Sequence, residues 1–157
     1  MILPLGEAET KTDFAAVFER KMVRLRALYK ALNLILDAEY TAGMAYDLKS
    51  LKKLIIRKQN CVKRFEQLVR SMGGLLGMTA VREMPSTVPI SLVNRLKRVS
   101  GLTHGQEGVL FPLARDLDQR HLDLMLKSRR NSVFFKTALD RMSVATKYVN
   151  QGKMITP

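Results

Sequence analysis

Residues 22–72 read MVRLRALYKALNLILDAEYTAGMAYDLKSLKKLIIRKQNCVKRFEQLVRSM. Apolar side chains recur along this stretch at steps of three and four, from Leu25, Leu28, Leu32 and Leu36 through Tyr40, Met44, Leu48, Leu51 and Ile55 to Val62, Phe65, Val69 and Met72. That period is the stripe of an α-helix, and no proline interrupts it. Gly43 is the only glycine of the run, and Asp47 is suited to cap a second helix. The stretch therefore predicts two helices folding back at Gly43, with one continuous rod as the alternative. Two charges, Glu39 and Lys58, fall inside the stripe. Lys58 either snorkels its ammonium to water or pairs with a carboxylate on a neighbouring helix. With the fold-back at Gly43, Glu39 lies near the turn and Lys58 much farther from it, so the two are not expected to pair with each other.

Working outward, the first helix is expected over 13–42, capped by Thr12 or Asp13, with Phe14 and Phe18 extending its stripe. Residues 1–12 read as a loose leader. The second helix is expected over 47–72, ended by Gly73-Gly74. It carries Lys49, Lys52, Lys53, Arg57, Lys63 and Arg64 in one band across from Leu51, Ile55, Val62 and Phe65. A middle segment, 73–108, is punctuated by glycine and proline. Within it a short helix begins near Pro89, capped by Ser86 or Thr87, and stops at Ser100-Gly101. A mobile loop is expected from Ser100 to Gly108. The last long helix covers 109–150, with Leu113, Leu117, Leu124, Phe135, Ala138, Met142, Ala145 and Val149 in helical period. Ser128 and Asn131 break that stripe as a polar layer or a local bend. Gly152 and Pro157 end the helix and leave a tail, 151–157. The fold class is all-α: a single elongated helical bundle with an N-terminal helical hairpin and a long C-terminal helix packing back.

A chain of 157 residues that is 46% hydrophobic has enough apolar side chains for one buried core. The single cysteine, Cys61, excludes an internal disulfide and reads as a small buried apolar residue, consistent with a cytosolic chain. No run of 18 apolar residues is present, and Met1 to Leu5 is too short for a signal-peptide core. The net charge of +13 is spread along the chain: residues 1–72 carry 14 basic and 8 acidic side chains, the remainder 13 and 6. Such a charge suits a nucleic-acid binder or a membrane-surface binder. The basic band, however, has no interleaved aromatic residue and no recognisable nucleic-acid motif. Catalytic signatures are missing too. His104 and His121 have no partner at metal-ligand spacing, and Asp116 and Asp118 lie about 200° apart on a helix. The chain is read as a non-enzyme without metal or cofactor.

Several motifs taken together resemble the FlgN family of bacterial flagellar export chaperones. They are Leu32-x3-Leu36-x2-Glu39, Asp47-Leu48-x2-Leu51, Lys58, Phe65-x2-Leu68, and a tail Tyr148-Val149-Asn150-Gln151-Gly152. The likeness covers roughly residues 20–72 and 140–153. The asparagine-rich turn common in the family is replaced here by Asp118-Gln119-Arg120-His121. The resemblance implies a protein that holds the terminal segments of flagellar hook-filament junction proteins, prevents their early assembly and delivers them to the export gate or its ATPase complex. It also implies that Tyr148 helps contact the export apparatus.

A disordered client segment with one apolar face fits a groove between helices. Phe134, Phe135, Leu139 and Met142 are the candidate groove residues. Phe134 and Phe135 lie 100° apart, so only one of them is expected to face the groove squarely. Two other classes stand beside this one: a basic helical nucleic-acid-binding protein, and a self-associating coiled coil.

Overall fold

The computed structural model describes the backbone of residues 5–75 and 91–155, and side chains from 14–75 and 91–151. Four helices follow one another: α1 (Leu5–Met44), α2 (Leu48–Leu75), α3 (Leu92–Leu96) and α4 (His104–Ile155). No strand occurs among the described residues. The architecture is the all-α bundle expected, a hairpin of α1 and α2 with a long C-terminal helix.

The hairpin turn is built from both of its helix ends. Asp47 N–H donates to Ala42 O (2.9 Å) and Tyr46 N–H to Gly43 O (3.2 Å), the paired bonds that close a helix C-terminus. Tyr46 takes the left-handed position with φ 55°. Asp47 then caps α2, accepting from Ser50 N–H (3.1 Å) and Ser50 Oγ (2.6 Å). The turn thus falls at Tyr46, three residues beyond Gly43. Gly43 is helical, and its role is space. A Cβ there would lie 2.8 Å from Phe135 Cε1 and 2.9 Å from Phe134 Cε1.

α1 is the central helix, packing against α2 on one side and α4 on the other. It runs antiparallel to α2, as the contacts of Lys21 with Ser71 and Glu39 with Lys58 show. It runs parallel to α4, as Tyr29 with His121 and Asp37 with Lys127 show. One core cluster joins Phe18, Met22 and Tyr29 of α1 with Met72, Leu96, Leu110 and Leu117. A second joins Leu32, Ile35 and Ala42 with Leu54 and Cys61. Burial of these side chains, at about 1.5–3 kcal/mol each, is what holds helices of this length together.

α3 is tied down by one carboxylate. Asp118 of α4 accepts from Leu92 N–H (2.7 Å), Val93 N–H (3.2 Å) and Ser91 Oγ (2.9 Å), while Leu96 is fully buried. Ser91 itself caps the helix by accepting from Asn94 N–H.

Several boundaries differ from the sequence expectation. α1 begins at Leu5, so the supposed leader is helical from there, in keeping with the favourable propensities of Glu7, Ala8, Glu9 and Lys11. α2 continues through Gly73-Gly74 to Leu75, because Met72 is buried in the core and outweighs a penalty of about 1 kcal/mol per glycine. Its buried line is Leu54, Cys61 and Met72, with Leu51 and Phe65 half-buried; Ile55 and Val62 stand exposed on the flank.

α4 begins at His104, replacing most of the expected loop. A reciprocal cap explains this: Gln106 N–H donates to Thr103 Oγ1 (3.2 Å), and Thr103 N–H donates to Gln106 Oε1 (2.9 Å). At its other end α4 passes Gly152 and reaches Ile155. The proposed caps Ser86 and Thr87, the start near Pro89 and the terminal Pro157 lie outside the described residues.

Candidate partner-binding surface

α1 and α4 run side by side only as far as the hairpin turn. Gly43, one residue before the end of α1, meets Phe134 and Phe135. α4 has 20 further residues after Phe135, from 136 to 155, which extend about 30 Å beyond that ring. From Lys136 to Gln151 only Ala138 is half-buried, and every other side chain is exposed. Leu139 is 65% exposed, Met142 48% and Tyr148 71%, and Val144 and Val149 are also open to solvent.

This overhang is the continuation of a packing stripe. At 100° per residue, Leu117, Leu124, Asn131 and Phe135 lie on one line of α4, the line that faces the hairpin. Ala138, Met142, Ala145 and Val149 carry that line onward, and of these only Ala138 is half-buried. Leu139, Met142 and Tyr148 therefore stand where a partner can reach them.

Phe134 and Phe135 are less open. Both are half-buried, and neither is the freely exposed ring expected of one of them. Phe134 meets the Tyr40 ring edge-on (5.2 Å between centroids) and Phe135 in turn (5.3 Å). Arg130 stacks on the Tyr40 ring, its guanidinium carbon 4.3 Å from the centroid. These aromatics cap the end of α1 and form the root from which the overhang extends.

Below the root lies a polar layer joining all three long helices. Glu39, 2% exposed, pairs with Lys58 Nζ at 2.7 Å. Asn131, 4% exposed, donates to Leu36 O (2.8 Å) and approaches Glu39 Oε2 (3.5 Å). The Glu39–Lys58 pair corrects the expectation that these two stay apart. The turn sits at Tyr46, so Glu39 and Lys58 differ by only five residues in distance from it. That is about 7 Å along the axis, which a lysine side chain spans. Asn131 realises the expected polar layer, whereas Ser128 is exposed.

Beside this layer Asp37 accepts from Lys127 Nζ (2.7 Å) and Arg130 Nη2 (3.3 Å), and these bonds hold its carboxyl below the usual range. Nearer the middle, Tyr29 Oη and His121 Nδ1 share a hydrogen bond of 2.9 Å. Burial pushes the Tyr29 phenol up and the His121 imidazole down. Burial also raises the Cys61 thiol, which marks it as an unreactive core residue.

The basic band on α2, from Lys49 to Arg64, is exposed throughout. Three aspartates of α4 go to separate partners: Asp116 to Arg120, Asp118 to the α3 N-terminus, Asp123 to Gln119. Among the described residues no group of three or more His, Cys, Asp or Glu side chains could hold a metal ion, and no helix is long and apolar enough to cross a membrane.

Fold and surface together define a class: an all-α bundle whose C-terminal helix runs on past the hairpin with almost all of its described side chains there exposed. Set against protein-family models, curated proteins and solved structures, the chain matches none of them.

Proposed function

We propose that this chain is a cytosolic export chaperone. It holds terminal helical segments of flagellar hook-filament junction proteins, prevents their premature assembly and delivers them to the flagellar type III export apparatus. The observation that carries this reading is the overhang of α4, where Leu139, Met142 and Val149 extend a packing stripe beyond the hairpin and Tyr148 stands exposed about 120° to its side. A helix that lies with its apolar face on this stripe replaces exposed apolar surface with packed surface, at roughly 25 cal/mol per Å². Methionine and leucine adapt to more than one client, and the ordering cost of a disordered segment keeps binding reversible. Motifs resembling the export chaperones point to the same clients. The chaperone reading involves no catalysis and no cofactor.

Co-expression with a hook-filament junction protein tests it. The full chain should yield a soluble complex, and a stop after Thr137, which leaves the aromatic root in place, should abolish it. Leu139→Asp with Met142→Asp should do the same while leaving the thermal midpoint of the free protein within about 3 °C, since both side chains are exposed. A junction-protein complex that survives both changes would refute the placement of the surface.

The runner-up is nucleic-acid binding through the exposed band on α2. It requires tight binding to unrelated duplexes at low salt that weakens steeply as salt is added.

A further inference from the structure

The charges that flank the bare stripe select its occupant. Setting Met142 at 0° on the helical wheel, Ala145, Ala138, Val149 and Leu139 fill a sector of about 120° centred on it. Arg141 lies about 100° to one side of Met142, and Lys136 and Lys147 lie about 120–140° to the other. Thr146 lies inside the sector, Asn150 and Ser143 edge it at about 80–100° on the lysine side, and Asp140 lies beside the lysines at about 160°, so both flanks carry a net positive charge. From Lys136 to Gln151 there are three basic side chains, Lys136, Arg141 and Lys147, and one acid, Asp140, a net of 3 − 1 = +2. All four are exposed.

Resting on the chaperone reading of this same surface, we infer that the overhang takes an amphipathic helix with acidic flanks. A partner of about 12–16 residues, with an apolar face and glutamates or aspartates on either side of it, covers the sector and places its acids against Arg141 on one border and Lys136 and Lys147 on the other. A second copy of this chain is disfavoured, because each copy would bring a net charge of +2 to the contact. A nucleic-acid strand is disfavoured because the centre of the surface is apolar. The charges raise the on-rate and select the partner, and the stripe supplies most of the buried area.

Calorimetry on the full chain tests this with three synthetic peptides that share one leucine face: one flanked by glutamate, one by lysine, and one with the glutamate sequence scrambled. The glutamate-flanked peptide should bind at least tenfold more tightly than the other two, and should lose about tenfold in affinity between 50 and 300 mM salt. Arg141→Glu with Lys147→Glu should weaken it by tenfold or more and improve the lysine-flanked peptide. Leu139→Asp with Met142→Asp should abolish binding of both.

Equal binding of the glutamate and lysine peptides would overturn the inference. So would concentration-dependent dimers that Leu139→Asp dissolves, or duplex DNA binding that displaces the peptide and persists in the aspartate variant. Binding of the acidic peptide without any junction-protein complex would sink the chaperone reading alone. A junction-protein complex indifferent to Arg141→Glu and Lys147→Glu would sink the acidic-flank inference alone.

Discussion

At the scale of the residue, two positions carry more than their types suggest. Tyr46 holds φ 55° in the hairpin turn and is 73% exposed, so its ring contributes little packing while its Cβ costs about 1 kcal/mol. Tyr46→Gly should therefore stabilise the protein by about 1 kcal/mol, read as a higher urea midpoint with an unchanged slope. A lower midpoint would mean that the turn is not closed as described. Lys58 neutralises a carboxylate that has almost no access to water. Removing it as Lys58→Met strands Glu39 and should cost about 2 kcal/mol, less than the roughly 3–5 kcal/mol of a fully buried pair because the ammonium is partly solvated. Glu39→Leu added to Lys58→Met should restore most of that loss. Urea melts of the four proteins in the cycle measure it, and additive losses would show that the two charges do not interact.

At the scale of the element, α4 is two structures in one helix. As far as Asn131 its inner face is buried on α1, and beyond Phe135 every described side chain except the half-buried Ala138 is exposed. An isolated helix of such length is marginal in water. Amide hydrogens from 139 to 151 should therefore exchange at least a hundredfold faster than those from 114 to 131 in the free protein, and slow down when a partner is bound. Equal protection along the whole of α4 would show that the overhang is already covered. The period of this helix is plain in the sequence, but the period is identical on both sides of Phe135. Leu117 and Met142 look alike as text, and one is core while the other is open. The early start of α4 was legible, since Thr103-x-x-Gln106 is a capping signature. The length of α2 was not, because burial of Met72 overrides the glycines that follow it.

At the scale of the whole molecule, the titrating groups set a pH window. The His121 imidazole is held below its ordinary 6.5, so the unfolded chain binds that proton first; its contribution to stability is complete above pH 6.5 and is lost as pH falls below it. Asp37, held below 3.8, adds a smaller loss under more acidic conditions, small because it is half-exposed. The Tyr29 phenol is raised above 10.0, so its contribution is complete below that value and is lost as pH rises through and beyond it. The thermal midpoint should be level between about pH 7 and 9 and fall on either side. In His121→Gln the fall between pH 7 and 5 should shrink. An unchanged midpoint of the parent protein over that interval would contradict the buried state of the imidazole.

The sequence by itself determined the helical class, the hairpin, the Asp47 cap and the returning C-terminal helix, because the apolar period and the capping residues are local properties of the chain. It also located Leu139, Met142 and Tyr148 on that last helix. Only the tertiary structure decided that α1 lies between its neighbours, that Glu39 and Lys58 meet, that Gly43 makes room for Phe134 and Phe135, and that α4 outruns the hairpin. Each of these depends on how far one helix reaches along another. That distance is set by where the turn falls and by which side chains find a partner across the interface.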